Sequence, residues 1–365
     1  MRVLQRDDAW YRSRLASPRG STRVVIDTDA ANEIDDQFAL TWALLSPERL
    51  RVEAVYAAPF SFEHRRREMI RARAAQQDPA GASEADLQLL RQHLPRLDHF
   101  DRMGWTLETV DLPVFNAPAQ GMERSYDEIV NVFDKLHRPI EGQVFRGSAG
   151  YLLRADQPLR SEAVDHLVCA ARAAVPEEPL YVVAIGCLTN IASALLIAPD
   201  IVDLIVVIWT SGYPSCAPHV NDSFNLEQDM LASTVVLDSG VPLVYLPGYQ
   251  VGAQLRLSLP EVERYVRGRG AIGDYLHHLF THNPLWGYLG TDERNAYSWV
   301  IWDMINIAWL IDSRWLPSEL VRTPCLGADR RWQRGSGRHL MREAYAVDRD
   351  ALFGDFFRKL ETAPL

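Results

Sequence analysis

Five acids fall within residues 27–36, where an apolar run, Val24-Val25-Ile26, ends in Asp27-Thr28-Asp29 and a short loop carrying Asn32 and Glu33 leads to Asp35-Asp36. Crowding carboxylates at one strand end is electrostatically unfavourable unless a cation sits among them or some are protonated. Hard cations such as Ca²⁺ and Mg²⁺ prefer an all-oxygen cage of this kind. A plainer role exists for some of these acids, since Asp35 and Asp36 suit a helix N-terminus and Asp27 suits a loop. That role leaves the others unexplained, so a metal or catalytic site is expected here.

Three further segments carry usable chemistry. Gly186-Cys187-Leu188-Thr189-Asn190 follows an apolar run and opens a helix, with Thr189 as an ordinary N-cap the plain alternative. Asn221-Asp222-Ser223-Phe224-Asn225 offers amides and hydroxyls suited to a polyhydroxylated ligand, although Asx turns also use such residues. Trp302-Asp303 stands at the start of a strongly apolar helix, where an unpaired acid is costly to bury.

The elements that must position these groups alternate. Val24–Asp27, Arg51–Ala57, Tyr181–Ile185, Leu204–Trp209 and Val241–Leu246 are short, β-branched and bounded by turn residues, as strands buried on both faces should be. Helices are expected at Asp36–Leu45, Phe62–Gln77, Glu84–His93 and Thr189–Leu196. The alternation implies an α/β fold: an open, mainly parallel Rossmann-like sheet flanked by helices. Such sheets bind ligands at the carboxyl ends of their strands. One domain over residues 1–365 is expected, with a helical insertion at about 76–110 rich in Arg, Gln and Asp and able to act as a lid. The basic run His64-Arg65-Arg66-Arg67 reads as an exposed helix face, because no glycine-rich loop or interleaved aromatics accompany it. Tyr213, Trp286 and Tyr288 read as apolar surface available to an interface or a pocket.

Composition narrows the function classes. With 47% hydrophobic and 24% charged residues the 365-residue chain can build a sizeable core. A formal charge of −10 argues against nucleic acid as a partner. No stretch is long and apolar enough to span a bilayer, and Met1 to Arg23 lacks the apolar segment of a signal peptide. Cys169, Cys187, Cys216 and Cys325 are scattered without metal-ligand spacing, which fits free thiols in a cytoplasmic protein.

Together these segments resemble the nucleoside hydrolase family, metal-dependent enzymes that cleave an N-glycosidic bond. The resemblance rests on Asp27-Thr28-Asp29 with Asp35-Asp36, on Gly186-Cys187-Leu188-Thr189-Asn190, on Phe224-Asn225, on Asp303, and on the closing Ala351-Leu352-Phe353-Gly354-Asp355-Phe356-Phe357, in that order. It implies the family's fold and a Ca²⁺ site of Asp29, Asp36, Asp303 and the Ile185 carbonyl, with Asp29 also the general base toward water. It further implies that Asp35 and Asn225 hold ribose hydroxyls, with Asp27 and Asn190 in support. A small-molecule nucleoside substrate, a place in purine salvage and a homodimer or homotetramer follow from the same resemblance.

Three departures stand out. The Asp29–Asp35 loop is longer than usual and places Asn32 and Glu33 near the metal, as in a subgroup of the family with Asn-Glu there. Ser223 replaces the acid expected near the ribose 5′-hydroxyl, and the family's asparagine after the second strand has no counterpart in Ala57-Ala58-Pro59-Phe60-Ser61. Trp302 precedes Asp303 where pyrimidine-cleaving members carry histidine, which leans the reading toward a purine base. No general acid is assigned, since His137, His219 and His282 qualify by residue type only. The alternatives are a catalytically silent nucleoside- or sugar-binding protein on the same scaffold and an Asp-x-Asp phosphohydrolase. Retention of Asp27, Asp29, Asp36 and Asp303 disfavours the first, and the lack of a basic phosphate clamp disfavours the second.

Overall fold

The computed structural model describes residues 6–291 and 296–364. Its framework is an eight-stranded sheet made of β1 (Thr22–Thr28), β2 (Leu50–Ala57), β3 (Val144–Arg146), β4 (Leu180–Ala184), β5 (Ile205–Ser211), β6 (Leu243–Pro247), β7 (Ser318–Arg322) and β8 (Leu340–Ala344). The spatial order is β3-β2-β1-β4-β5-β6-β8-β7. Every neighbouring pair is parallel except β8–β7, so one antiparallel strand closes that edge. The five strands expected from the sequence all form. Their order reverses between β1 and β4, and that switch point opens a crevice beyond the strand ends.

Period-two alternation explains why both faces are dry. Val24 and Ile26 of β1 enter one core with Phe38, Trp42 and Val183. Val25 enters the other with Val182, Trp209 and Ile191. Helix α1 (Asp35–Leu44) is buried along its whole length, which matches a segment apolar on most sides. Its entire surround is protein, so its two leading acids have no route to bulk water except the crevice.

A smaller core lies to one side. Helix α2 (Glu63–Gln77) packs on α3 (Glu84–Met103) around Met69, Leu97 and Phe100, joined by Phe62 and Tyr288. Ser83 caps α3 by accepting from Asp86 N, and Gly104 at φ 68° ends it. The helix therefore runs ten residues past His93, through Pro95. Proline removes one backbone bond, but the apolar face of Leu89, Leu97 and Phe100 continues across it and holds the helix together. Trp286 and Tyr288, read from sequence as surface, are buried at 6% and 2% exposure. Among the described residues no helix is long and apolar enough to cross a membrane.

Candidate active site

The site forms because several strand and helix ends converge. Strand β1 delivers Asp27 and Asp29, with Ile185 N donating to Asp27 O so that the ends of β1 and β4 are locked side by side. Helix α1 starts at Asp35-Asp36, helix α4 (Thr189–Ile197) follows the turn after β4, and helix α5 (Met304–Ile311) starts just after Asp303. The N-termini of α1 and α5 thus face the same carboxylates, which favours negative charge there.

A cavity of about 180 Å³ opens at this junction. Its acidic side is lined by Asp29, Asn32, Glu33, Asp35, Asp36 and Asp303. Ile185, Ser223, Asn225 and Trp302 line the remainder. All the candidate ligand-facing residues therefore share one cavity, and the two supporting residues sit behind it. Asp27 is fully buried and accepts from Asn190 Nδ2 at 2.7 Å, while Asn190 Oδ1 accepts from Ser148 N at 2.8 Å.

Each side chain is oriented by specific bonds. Gln228 Oε1 accepts from Ser61 N at 3.1 Å and from the Tyr151 hydroxyl at 2.8 Å, which turns its Nε2 to donate to Asp29 Oδ2 at 3.4 Å. Asn225 Nδ2 donates to the Ile185 and Thr210 carbonyls at 3.1 and 3.3 Å, leaving its Oδ1 as the free acceptor. The Thr28 hydroxyl donates to Asp36, and Trp299 Nε1 donates to Glu33 at 2.5 Å. Thr189 starts α4 without acting as its cap and instead donates its hydroxyl to Asp229 at 2.7 Å.

Burial dominates the electrostatics of the acids. It pushes the Asp27 carboxyl up to about 7. Burial, followed by the charge of Asp35, raises Asp29 to about 8. Asp35 rises to about 6, again mainly by burial. Asp36, Asp303 and Glu33 lie well above the usual carboxylate range because burial and the neighbouring acids act together. Such a cluster holds protons in the absence of a cation and exchanges them for one when it binds.

The donor set fits a hard divalent ion. Asp35, Asp36 and Asp303 bring carboxylate oxygens within 4.8 Å of one another, and Asp29 Oδ1 is buried with no hydrogen-bond partner. The tightest trio contains Asp35, which the family resemblance assigned to the sugar, with Asp29 alongside. The Ile185 carbonyl already accepts from Asn225 and keeps a second lone pair.

The basic run departs from the sequence expectation. Arg65 does not lie on an exposed helix face: its side chain is 18% exposed and lines the cavity. Its guanidinium lies over the Phe62 and Phe224 rings, and its Nε donates to Glu227 at 2.6 Å. Glu227 is held near 2, its burial outweighed by Arg65, His64 and Arg330. Arg66 is also mostly covered and donates to the Leu107 and Glu108 carbonyls, whereas Arg67 is exposed as expected. The sequence signal was available in Glu227, an acid two residues beyond Asn225 that needed a buried cation. Tyr249 was missed as well; it lines the cavity edge-on to Trp302, with ring centroids 6.0 Å apart. His137, His219 and His282 are exposed and none lines the cavity, with the His219 ring centroid 4.6 Å from that of Tyr213.

Residues 98–353 match the family model described as inosine-uridine preferring nucleoside hydrolase, well over half of the chain. The chain belongs to this nucleoside hydrolase family. Its similarity to the non-specific ribonucleoside hydrolase RihC of Shigella flexneri serotype 5b is 32% identity over 161 residues, 41% of this chain and 46% of that protein. The RihC of Escherichia coli O127:H6 gives the same figures. The chain thus spans about half the length of the curated relatives it matches. Solved structures extend the likeness in fold to nearly the whole chain. The purine-preferring ribonucleoside hydrolase from Gardnerella vaginalis superposes with a TM-score of 0.64 at 17% identity, covering 94% of this chain and 99% of the other. The type III effector XopQ, solved with adenosine diphosphate ribose, gives 0.56 at 15% identity and 98% coverage of both. The family match starts beyond the first acidic loop, so the assignment of Asp27–Asp36 stands on the geometry above.

Proposed function

We propose that this protein hydrolyses the N-glycosidic bond of a nucleoside, with a preference for purine bases, in a Ca²⁺-dependent reaction that yields free base and the sugar. The observation that carries the reading is the placement of Asp29, Asp35, Asp36 and Asp303 around one cavity, facing an aromatic wall of Trp302 and Tyr249. Asp35, Asp36 and Asp303 would hold the ion, with Asp29 and the Ile185 carbonyl completing its protein ligands. Bound there, Ca²⁺ would supply Lewis acidity that makes water easier to deprotonate.

The protein's own groups do the rest. Asp29, aimed by Gln228, accepts the proton of the attacking water. As the water oxygen bonds to C1′, the C1′–N bond breaks and its electron pair leaves with the base. The sugar passes through an oxocarbenium-like state, and the surrounding carboxylates oppose its positive charge. Asn225 Oδ1 accepts from a ribose hydroxyl because its amide nitrogen is already committed to two backbone carbonyls. Trp302 stacks on the base, which favours a large aromatic leaving group.

Reducing-sugar release from a panel of purine and pyrimidine nucleosides tests this, with EDTA and then added Ca²⁺. Release that EDTA stops and Ca²⁺ restores, fastest with purine nucleosides, is the expected result. No release from any nucleoside by the Ca²⁺-loaded protein would overturn it.

A further inference from the structure

We propose that the sugar this site accepts carries a phosphate on its 5′ oxygen, read by Arg65; the proposal rests on the ribohydrolase reading above. The cavity is polarised. Its acids gather at the ends of β1, α1 and the residue before α5, and Arg65 is the cation that lines it among the described residues.

The ring substituents sort themselves against these walls. The reacting carbon and the two ring hydroxyls belong beside the acids, and the base belongs against Trp302 and Tyr249. What remains is C5′, which faces the wall built from Ser211, Gly212, Ser223 and Arg65. That wall contains no carboxylate. Ser211 donates its hydroxyl to Ser223 at 3.2 Å, which leaves the Ser223 hydroxyl hydrogen free to donate to an anion where an acid would accept from a hydroxyl.

Arg65 is built as a fixed anion receptor. Its Nε is held by Glu227 and its Nη2 by the Asp222 carbonyl at 3.1 Å. Phe62 and Phe224 support the guanidinium at 5.4 and 5.2 Å. Glu227 does not cancel this charge alone, because the same carboxylate also takes Arg330 at 2.6 Å and His64 at 3.0 Å. A preoriented, permanently charged guanidinium beside the free hydroxyl donor of Ser223 is a phosphate-binding arrangement. The reaction is unchanged, and its products become free base and ribose 5-phosphate.

The test compares inosine with its 5′-monophosphate and 5′-diphosphate in base release by the Ca²⁺-loaded protein, and separately measures thermal stabilisation by ribose 5-phosphate against ribose. The monophosphate is expected to exceed inosine in kcat/KM by about tenfold or more, the worth of one charge-assisted contact. A diphosphate used better than inosine also supports the site, which then takes a 5′ phosphate that continues in a phosphoanhydride. Arg65→Gln should erase the preference and the stabilisation by ribose 5-phosphate, and Arg65→Lys should restore part of both. Glu227 keeps Arg330 and His64 in these variants, which preserves the fold around it. Inosine cleaved in preference, with no stabilisation by ribose 5-phosphate, would overturn the phosphate site and leave the ribohydrolase reading intact. No base from any substrate, with stabilisation that Arg65→Gln removes, would do the reverse.

Discussion

Replacing the proposed base by its amide should kill turnover and stabilise the metal-free protein. Asp29 is 1% exposed, one of its oxygens has no partner, and burial with the charge of Asp35 raises its carboxyl to about 8 from 3.8. The sign follows from linkage. A carboxyl raised in the folded state favours folding fully below about 3.8, and the benefit is lost as pH rises through about 8. At pH 7 the difference from an unfolded carboxylate is about 4 kcal/mol, at about 1.4 kcal/mol per pH unit over roughly three units. The amide of Asp29→Asn cannot ionise and escapes that penalty. Part of the gain is offset because the amide must find partners, so roughly 2–4 kcal/mol remains. With about 2 °C per kcal/mol in a chain this long, Asp29→Asn in EDTA should melt roughly 4–8 °C above wild type at pH 7. The gap should close toward pH 4. In Ca²⁺ the same variant should lose about 10²–10⁴-fold in kcat. Differential scanning fluorimetry across pH 4–8 and a reducing-sugar assay read the two effects. A variant that melts lower than wild type in EDTA at pH 7 would refute the desolvation argument, and turnover within tenfold would refute the base.

Other perturbations follow from the same geometry. The melting gain from Ca²⁺ should grow from pH 5 to pH 8, because Asp27, Asp29 and Asp35 release protons over that range and a cation competes with protons for the cluster; a gain independent of pH in calorimetric scans contradicts this. Gly186→Ala should cut turnover severely and cost about 1–3 kcal/mol of stability, since a Cβ there would meet the buried Asp29 carboxyl at 3.1 Å and Ala58 Cβ at 3.3 Å. Activity close to wild type in that variant would show that Asp29 has room to move. Glu227→Gln should cost about 2–4 kcal/mol in urea unfolding, because the mostly covered Arg65 loses its carboxylate while Arg330 keeps only Glu68 at 3.6 Å. A loss below about 1 kcal/mol, the range of exposed pairs, would mean solvent already screens the network. Trp302→Ala should lower kcat/KM for purine nucleosides by about tenfold to a hundredfold, the worth of one stacked base, and an equal loss for pyrimidine nucleosides would remove Trp302 from base selection.

Local chemistry made much of this protein legible. Strand period, turn residues and the apolar α1 are properties of short segments, and apart from α3 the strands and helices expected from them form with ends shifted by a residue or two. The acids of residues 27–36 announced themselves because that much like charge has few stable uses. Errors arose where a partner comes from far along the chain. Helix α3 outran its proline because α2 supplies a packing face. Arg65 looked solvated in a run of four basic residues, and its burial is decided by Glu227, 162 positions away.

The same division separates site membership from site geometry. Sequence singled out Asp29, Asp36, Asn225 and Asp303 as candidates, because residue type and order record what a strand end or helix start can offer, and all four line one cavity. Only the tertiary structure decided that Asp35 joins Asp36 and Asp303 in the tightest trio, that Gln228 and not a neighbour in sequence aims Asp29, and that the far wall of the cavity is cationic. Those facts depend on which chain ends the parallel sheet brings together at the reversal between β1 and β4. Hydrogen-bond lengths and carboxylate spacings are set by that packing, over distances that no local pattern of residues encodes.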